Sequence, residues 1–286
     1  MKHTLTFFAL SFLTLFTLQT ASADVLPLKA DGETLAEYKF TEVPFKPYIQ
    51  TLFTPAGRNI LRDAPWDHLH HHALMFAIYV GDVNFWEEHN DRAGKQITDS
   101  AEISPDGVLR SELSWQDGDG KTLAKESREI SVESRDDATV LVWKTALTPA
   151  GDEAVKFGTG TGAGHYHGMG MRFDESMDAD GFFRMDIDVS GESIADNEII
   201  TSCGWVAYTT KLDGKPVTIA VYDMPGNTRP MAAFTMGKDC HFSYLSACMN
   251  LHKEAITLEP GETLRANYRV VVWEGEATVE MIEAFQ

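Results

Sequence analysis

The sequence predicts an all-β protein, one large antiparallel β-sandwich with few or no helices. Three observations carry that reading. Short alternating or β-branched runs recur at roughly 8 to 12 residue spacing. Strong turn signals separate them, as in Gln116-Asp117-Gly118-Asp119-Gly120 and Glu259-Pro260-Gly261-Glu262. Amphipathic helical periodicity is nearly absent, and only residues 277–285 suit a short terminal helix.

The elements follow in order. Residues 1–23 have the pattern of a cleavable export signal. Lys2 gives the positive start, residues 7–18 the apolar stretch, and Ala21-Ser22-Ala23 the small-residue cleavage site. The apolar stretch is too short for a spanning helix. The expectation is therefore a periplasmic or secreted protein, cut after Ala23, with residues 24–286 as a single sandwich domain. Residues 35–40 alternate, 43–48 are extended by Pro44 and Pro47, and 49–53 run into a turn at Pro55-Ala56-Gly57. Residues 73–80 read as a buried strand. Residues 108–115 and 122–132 flank the Asp-Gly turn, and 139–145 are β-branched and aromatic. Residues 182–189 alternate with acidic side chains, as a half-solvated strand does. Residues 217–222 and 268–273 look like buried strands.

Composition narrows the partners. The formal net charge of -19 sets long-range repulsion against nucleic acid and anionic membranes, so the expectation is a small neutral molecule or sugar, without membrane insertion. Cys203, Cys240 and Cys248 are too few for a disulfide scaffold. Cys240 and Cys248 are spaced to pair across neighbouring strands or to sit buried as thiols.

The chemistry concentrates in Asp63-Ala64-Pro65-Trp66-Asp67-His68-Leu69-His70-His71-His72. In an extended segment His68, His70 and His72 would share one face, about 6.6 Å apart per pair, with His71 on the other. Histidine titrates near neutral pH and serves as general acid or base, with Asp67 or Asp63 to orient it. Trp66 and Trp86 supply aromatic surface for a sugar ring, and Asn84 and Arg229 polar contacts. The alternative use of imidazole is as a ligand. His68 and His70, with a second His-x-His pair at His165 and His167, would bind one divalent or transition metal ion. Residues 158–164 are glycine-rich but precede no helix and lack Gly-Lys-Ser/Thr, so they read as loop.

Asp67-His68-Leu69-His70-His71, Gly81-Asp82-Val83-Asn84-Phe85-Trp86, Pro225-Gly226-Asn227-x-Arg229-Pro230 and Leu251-His252-x-Glu254 together resemble the DUF6807 family, often labelled "methane oxygenase PmoA family". Leu69 stands where that family usually has Pro, and His72 where it usually has Arg. The closing Leu258-x-Pro260-Gly261-Glu262-x-Leu264 and Tyr268-Arg269-Val270 are similar to the last strands of galactose-mutarotase-like supersandwiches. The resemblance implies that fold, and company with exported sugar-catabolic proteins. In the supersandwich enzymes a histidine acid works with a glutamate base before the Pro-Gly turn, a place for which Glu254 is the nearest candidate here.

The resulting expectation is an exported carbohydrate-processing protein using histidine-centred acid–base chemistry of lyase, hydrolase or epimerase type. His68, His70, His71, Asp67 and Glu254 are its candidate catalytic groups. Trp66, Trp86, Asn84, Arg229 and His252 are its candidate binding groups. Two further readings fit the same residues: a non-catalytic carbohydrate- or transition-metal-binding protein, and the metal-dependent oxygenase that the family label implies.

Overall fold

A computed structural model describes residues 24–88, 92–160, 166–187, 192–195, 198–237 and 240–286. It is 55% strand and 3% helix, the all-β class that the alternating runs predict. Among the described residues the strands form antiparallel sheets of nine, eight and four. The larger two stack as a sandwich.

The nine-stranded sheet runs Val25–Ala30, Glu33–Lys39, Tyr48–Leu52, Leu74–Ala77, Gly168–Arg172, Tyr244–Cys248, Ala232–Met236, Glu198–Ser202 and Glu192–Ala195. The eight-stranded sheet runs Phe182–Met185, Trp205–Leu212, Lys215–Asp223, Leu264–Glu274, Ala138–Pro149, Thr122–Arg135, Leu109–Gln116 and Lys95–Ile103. Hairpin turns set much of this order. Asp117 Oδ1 accepts from the Asp119 and Lys121 amides, closing the turn between Leu109–Gln116 and Thr122–Arg135.

Alternation then decides which side chains meet. On Ala138–Pro149, Leu141, Trp143 and Leu147 enter the core between the sheets. Ala138 and Val140 face the other way, into a second cluster with Trp205, Tyr222, Trp273, Ile282 and Phe285. The short Val279–Glu283 helix closes that cluster, capped by Thr278 and tied down by Tyr222 Oη donating to the Ile282 carbonyl at 2.8 Å. A strand buried on both faces needs apolar residues at every position, which explains its unbroken Val-Leu-Val-Trp run.

The strand that positions the site is Gly168–Arg172. Met169 pairs with Phe76, whose ring lies 6.2 Å from Trp115 of the opposite sheet, so Met169 and Met171 face the sandwich core. Gly168, Gly170 and Arg172 therefore face outward, beside Tyr244 and Ser246 of the neighbouring strand. Gly170 is required there: an added Cβ would come within 2.2 Å of Tyr244 Oη and 2.6 Å of Trp86.

Some expectations move. Residues 73–80 are buried throughout but split into Leu74–Ala77 and Tyr79–Val80, which belong to different sheets. The half-solvated strand expected over 182–189 is Phe182–Met185, with 188–189 outside the described residues. Cys203, Cys240 and Cys248 carry no disulfide, and burial pushes the Cys203 and Cys248 thiols up to about 12. No helix among the described residues is long and apolar enough to cross a membrane. Residues 1–23, with the expected export signal, lie outside the described residues.

Candidate functional site

The histidine segment is not extended. Two turns follow each other: the His68 amide donates to the Pro65 carbonyl and the His71 amide to the His68 carbonyl, both at 2.9 Å. The ends are clipped by the Asp63–His72 bridge and by the Ala64 amide on the His71 carbonyl. This overturns the expected common face of His68, His70 and His72, because turns and not strand alternation set the side-chain directions. His68 instead stacks on His71, three residues on, with ring centroids 4.6 Å apart. His70 meets both edge-on, at 5.7 and 4.5 Å.

The four imidazoles have different surroundings. His71 is buried among Trp86, Tyr166, Phe242 and Tyr244. Burial, then the charges of His70, His68, Arg172 and Lys46, push it down to about 2, so it stays neutral. His72 lies between two carboxylates, Nδ1 2.8 Å from Asp63 and Nε2 3.0 Å from Glu88. Burial opposes its charge, but those two contacts prevail and raise it above 6.5. Lys46 bonds Glu88 and the Trp86 carbonyl, Tyr48 Oη donates to Asp63 at 2.7 Å, and the Tyr48 ring stacks on His72. This network fastens the histidine segment to the stretch carrying Glu87.

His68 and His70 are the imidazoles that reach the surface, their side chains 35% and 20% exposed. Each has a carboxylate. His68 Nδ1 lies 3.1 Å from Asp67 Oδ2, within reach although not aligned as a closed hydrogen bond. His70 Nε2 lies 3.5 Å from Glu87 Oε2. Burial lowers His70, an effect that Glu87 partly offsets. Burial alone would raise Asp67, but the His68 contact and the Arg172 charge bring it below its ordinary value. Asn84 shapes this corner by accepting from the Trp86 and Glu87 amides, and it donates to Tyr79 Oη at 2.8 Å.

Trp66 is 86% exposed and Leu69 66%, both on the rim of the histidine turns. Trp86 is buried beneath His71 and forms wall, not the open stacking surface expected of it. The remaining expected residues have contacts of their own. Arg229 and Glu254 pair with one another, NH1 to the Glu254 carbonyl at 2.7 Å and NH2 3.5 Å from its carboxylate. His167 accepts from the Leu251 amide and its ring lies 5.5 Å from that of His252. It precedes Gly168 at the start of the Gly168–Arg172 strand, next to Tyr166, whose ring lies 6.5 Å from that of His71. His165 lies outside the described residues.

Of the four expected metal ligands, His68, His70 and His167 lie among the described residues and His165 does not. Among the described residues no three or more His, Cys, Asp or Glu converge as metal ligands, and His167 spends its Nε2 on a backbone amide. The groups missing from the sequence reading are Glu87, Glu88, Lys46, Arg172, Tyr166, Phe242 and Tyr244. Glu87 and Glu88 directly follow Trp86 and were within reach of a local reading. Arg172, Phe242 and Tyr244 arrive only through strand pairing.

Comparison with known proteins agrees on the fold. The family profile described as "Family of unknown function (DUF6807)" matches residues 26–286. A search of curated proteins returns no match. Among solved structures, a protein of Escherichia coli K12 named for aldose 1-epimerase activity is 10% identical, with a TM-score of 0.50 over 87% of this chain and 99% of its own. The α-galactosidase of Lactobacillus brevis gives 8% and 0.51 over 88% of this chain, and the galactosidase domain of an α-galactosidase–sucrose kinase 11% and 0.53 over 88%. This chain spans only 39% and 41% of those two chains. At these identities the likeness establishes the aldose-epimerase type of sandwich and nothing of the chemistry.

Proposed function

The chain belongs to the DUF6807 family, and from that premise we propose that it is a carbohydrate-processing enzyme using histidine acid–base chemistry on a neutral sugar or sugar derivative. One observation carries the proposal: two surface-reaching imidazoles, His68 and His70, sit 5.7 Å apart, each beside its own carboxylate. That spacing lets one ring accept a proton from a sugar oxygen or carbon while the other delivers one to a neighbouring oxygen. His70, held neutral by burial, suits the accepting role. Asp67, 3.1 Å from His68 Nδ1, holds His68 for the delivering role. Neutral His71 and Trp86 form the wall behind them, and exposed Trp66 offers a ring face for the sugar.

Charge favours a neutral substrate. The cations nearest the two histidines, Arg172 and Lys46, are engaged by Asp67 and Glu88. Epimerase or hydrolase chemistry suits that balance better than elimination from an acidic sugar, which needs a free cation for the carboxylate. Named activities of the structural neighbours, aldose 1-epimerase and α-galactosidase, are consistent with a sugar ligand. Export to the periplasm or beyond is part of the proposal, supported by the charge and apolar pattern of residues 1–23.

The test is a proton NMR survey of neutral aldoses and glycosides with the purified protein and its His68→Ala/His70→Ala form. The wild type should convert at least one sugar and the double variant none, at unchanged fold. Equal turnover by both would sink the assignment. The exposure of Trp66 favours one competing reading, a non-catalytic sugar binder. In that case sugars would raise the melting temperature, Trp66→Ala would abolish the rise, and no product would form.

A further inference from the structure

We propose that Arg172 and Phe242 are positioning residues, which hold Asp67 so that His68 presents Nε2 as its working nitrogen. The proposal rests on the reading of His68 as a proton-transfer group. Its basis is a chain of contacts from the sheet outward. Arg172 is locked at the backbone, its amide donating to the Ala73 carbonyl at 2.8 Å and its carbonyl accepting from the Arg62 amide at 3.0 Å. Its guanidinium lies 3.5 Å from the centroid of the Phe242 ring and donates from NH2 to Asp67 Oδ2 at 3.1 Å. The same oxygen is the one 3.1 Å from His68 Nδ1. Phe242 also meets the His68 ring edge-on at 4.8 Å. One aromatic ring therefore fixes both ends of the Arg172–Asp67–His68 line.

The way the donors are used points to orientation rather than to binding strength. Arg172 is 2% exposed, yet Nε and NH1 are buried without a hydrogen-bond partner, as is Asp67 Oδ1. A guanidinium selected to pair with a carboxylate for stability makes two parallel bonds. Here it makes one, to the oxygen that faces the histidine. Other charges nearby do not replace it: Asp178 accepts from the Ser243 amide and lies 3.8 Å from Arg62. An imidazole whose Nδ1 lies this close to a held carboxylate carries its ring proton on that side, which leaves Nε2 as the nitrogen that exchanges a proton with a substrate.

The measurement is long-range proton–nitrogen NMR of the full chain labelled with 15N-histidine, with His68 assigned by its loss in His68→Gln. The proposal expects His68 in the Nδ1–H form in the wild type. Arg172→Met should redistribute it toward Nε2–H, Arg172→Lys should restore it, and Phe242→Leu should give a partial shift. If Arg172→Met does not fold, Asp67→Asn reads the same contact from the other side and should redistribute the tautomer alone. A wild-type His68 in the Nε2–H form overturns the proposal, as does a tautomer unmoved by both substitutions. No substrate enters the measurement. A positive result beside a sugar survey without turnover would therefore retire the enzymatic reading and leave the positioning contact standing.

Discussion

Two buried arginines divide this molecule. Arg128, inside the sandwich, is fully buried, stacked 4.7 Å over Trp143 and paired with Glu126. Its Nε and both terminal nitrogens are in use, on the two Glu126 oxygens, Tyr38 Oη, the Pro47 carbonyl and Gln96. Glu126 is satisfied in turn by the Trp115 indole and Thr145. Arg172 is nearly as buried and also stacked on an aromatic ring, yet it makes one side-chain hydrogen bond and leaves two nitrogens unmatched. His71 Nδ1 and Trp86 Nε1, beside the same cluster, are buried and unmatched too. An interior evolved for stability closes its polar networks, because each open group costs about 1–3 kcal/mol. The histidine cluster departs from that rule, as do Trp205 Nε1 and Tyr268 Oη in the cores, so the contrast lies between the two arginines alone.

The largest effect should come from breaking the closed network. Arg128→Met leaves Glu126 buried and unpaired and should cost about 3–5 kcal/mol in urea unfolding. Any sugar-converting activity that survives expression should be unchanged. Next comes Arg172→Met. Asp67 is partly exposed, so the loss should stay at about 1.5–2 kcal/mol, the low end for a hydrogen bond to a charged group. Turnover should fall by about 10–100-fold, the usual cost of losing a group that orients a working side chain. Equal stability losses for the two arginines would erase the contrast between the regions.

Acidity offers a finer cut. His72 is raised above its unfolded value, so its stabilisation is complete below about 6.5 and is lost as pH climbs through the raised value. Asp63 and Glu88 are lowered despite burial, chiefly through their contacts with His72. Their share is present above the ordinary carboxylate range and fades as pH falls through the depressed values. Thermal unfolding across pH should therefore show a plateau with two shoulders. His72→Gln should lower the plateau and remove the alkaline shoulder; an unchanged alkaline limb would contradict the clamp. The smallest effect belongs to Trp66→Ala. An 86% exposed side chain should change stability by no more than about 0.5 kcal/mol, while weakening sugar binding measurably by calorimetry.

The fold was legible because its signals are local. The Asp117-Gly118 and Pro260-Gly261 turns, and the Val-Leu-Val-Trp run of Ala138–Pro149, each declare their element within a few residues. The site was legible only in part. His68, His70, His71 and Asp67 announce themselves by crowding, but their directions depend on two turns that Pro65 and the Asp63–His72 bridge impose. Arg172 is 105 positions from Asp67, and no spacing rule connects them. Their meeting requires the pairing of Gly168–Arg172 with Leu74–Ala77, a register that sequence does not print. Glu254 and Arg229, motif neighbours in sequence, pair with each other.

If His68 and His70 are kept for chemistry and not for structure, their loss should separate activity from stability. The most direct test measures melting temperature and sugar turnover together for the wild type and the His68→Gln/His70→Gln variant. The variant should melt at or above the temperature of the wild type, with turnover gone. A variant that melts markedly lower and still converts sugar at the wild-type rate would contradict it.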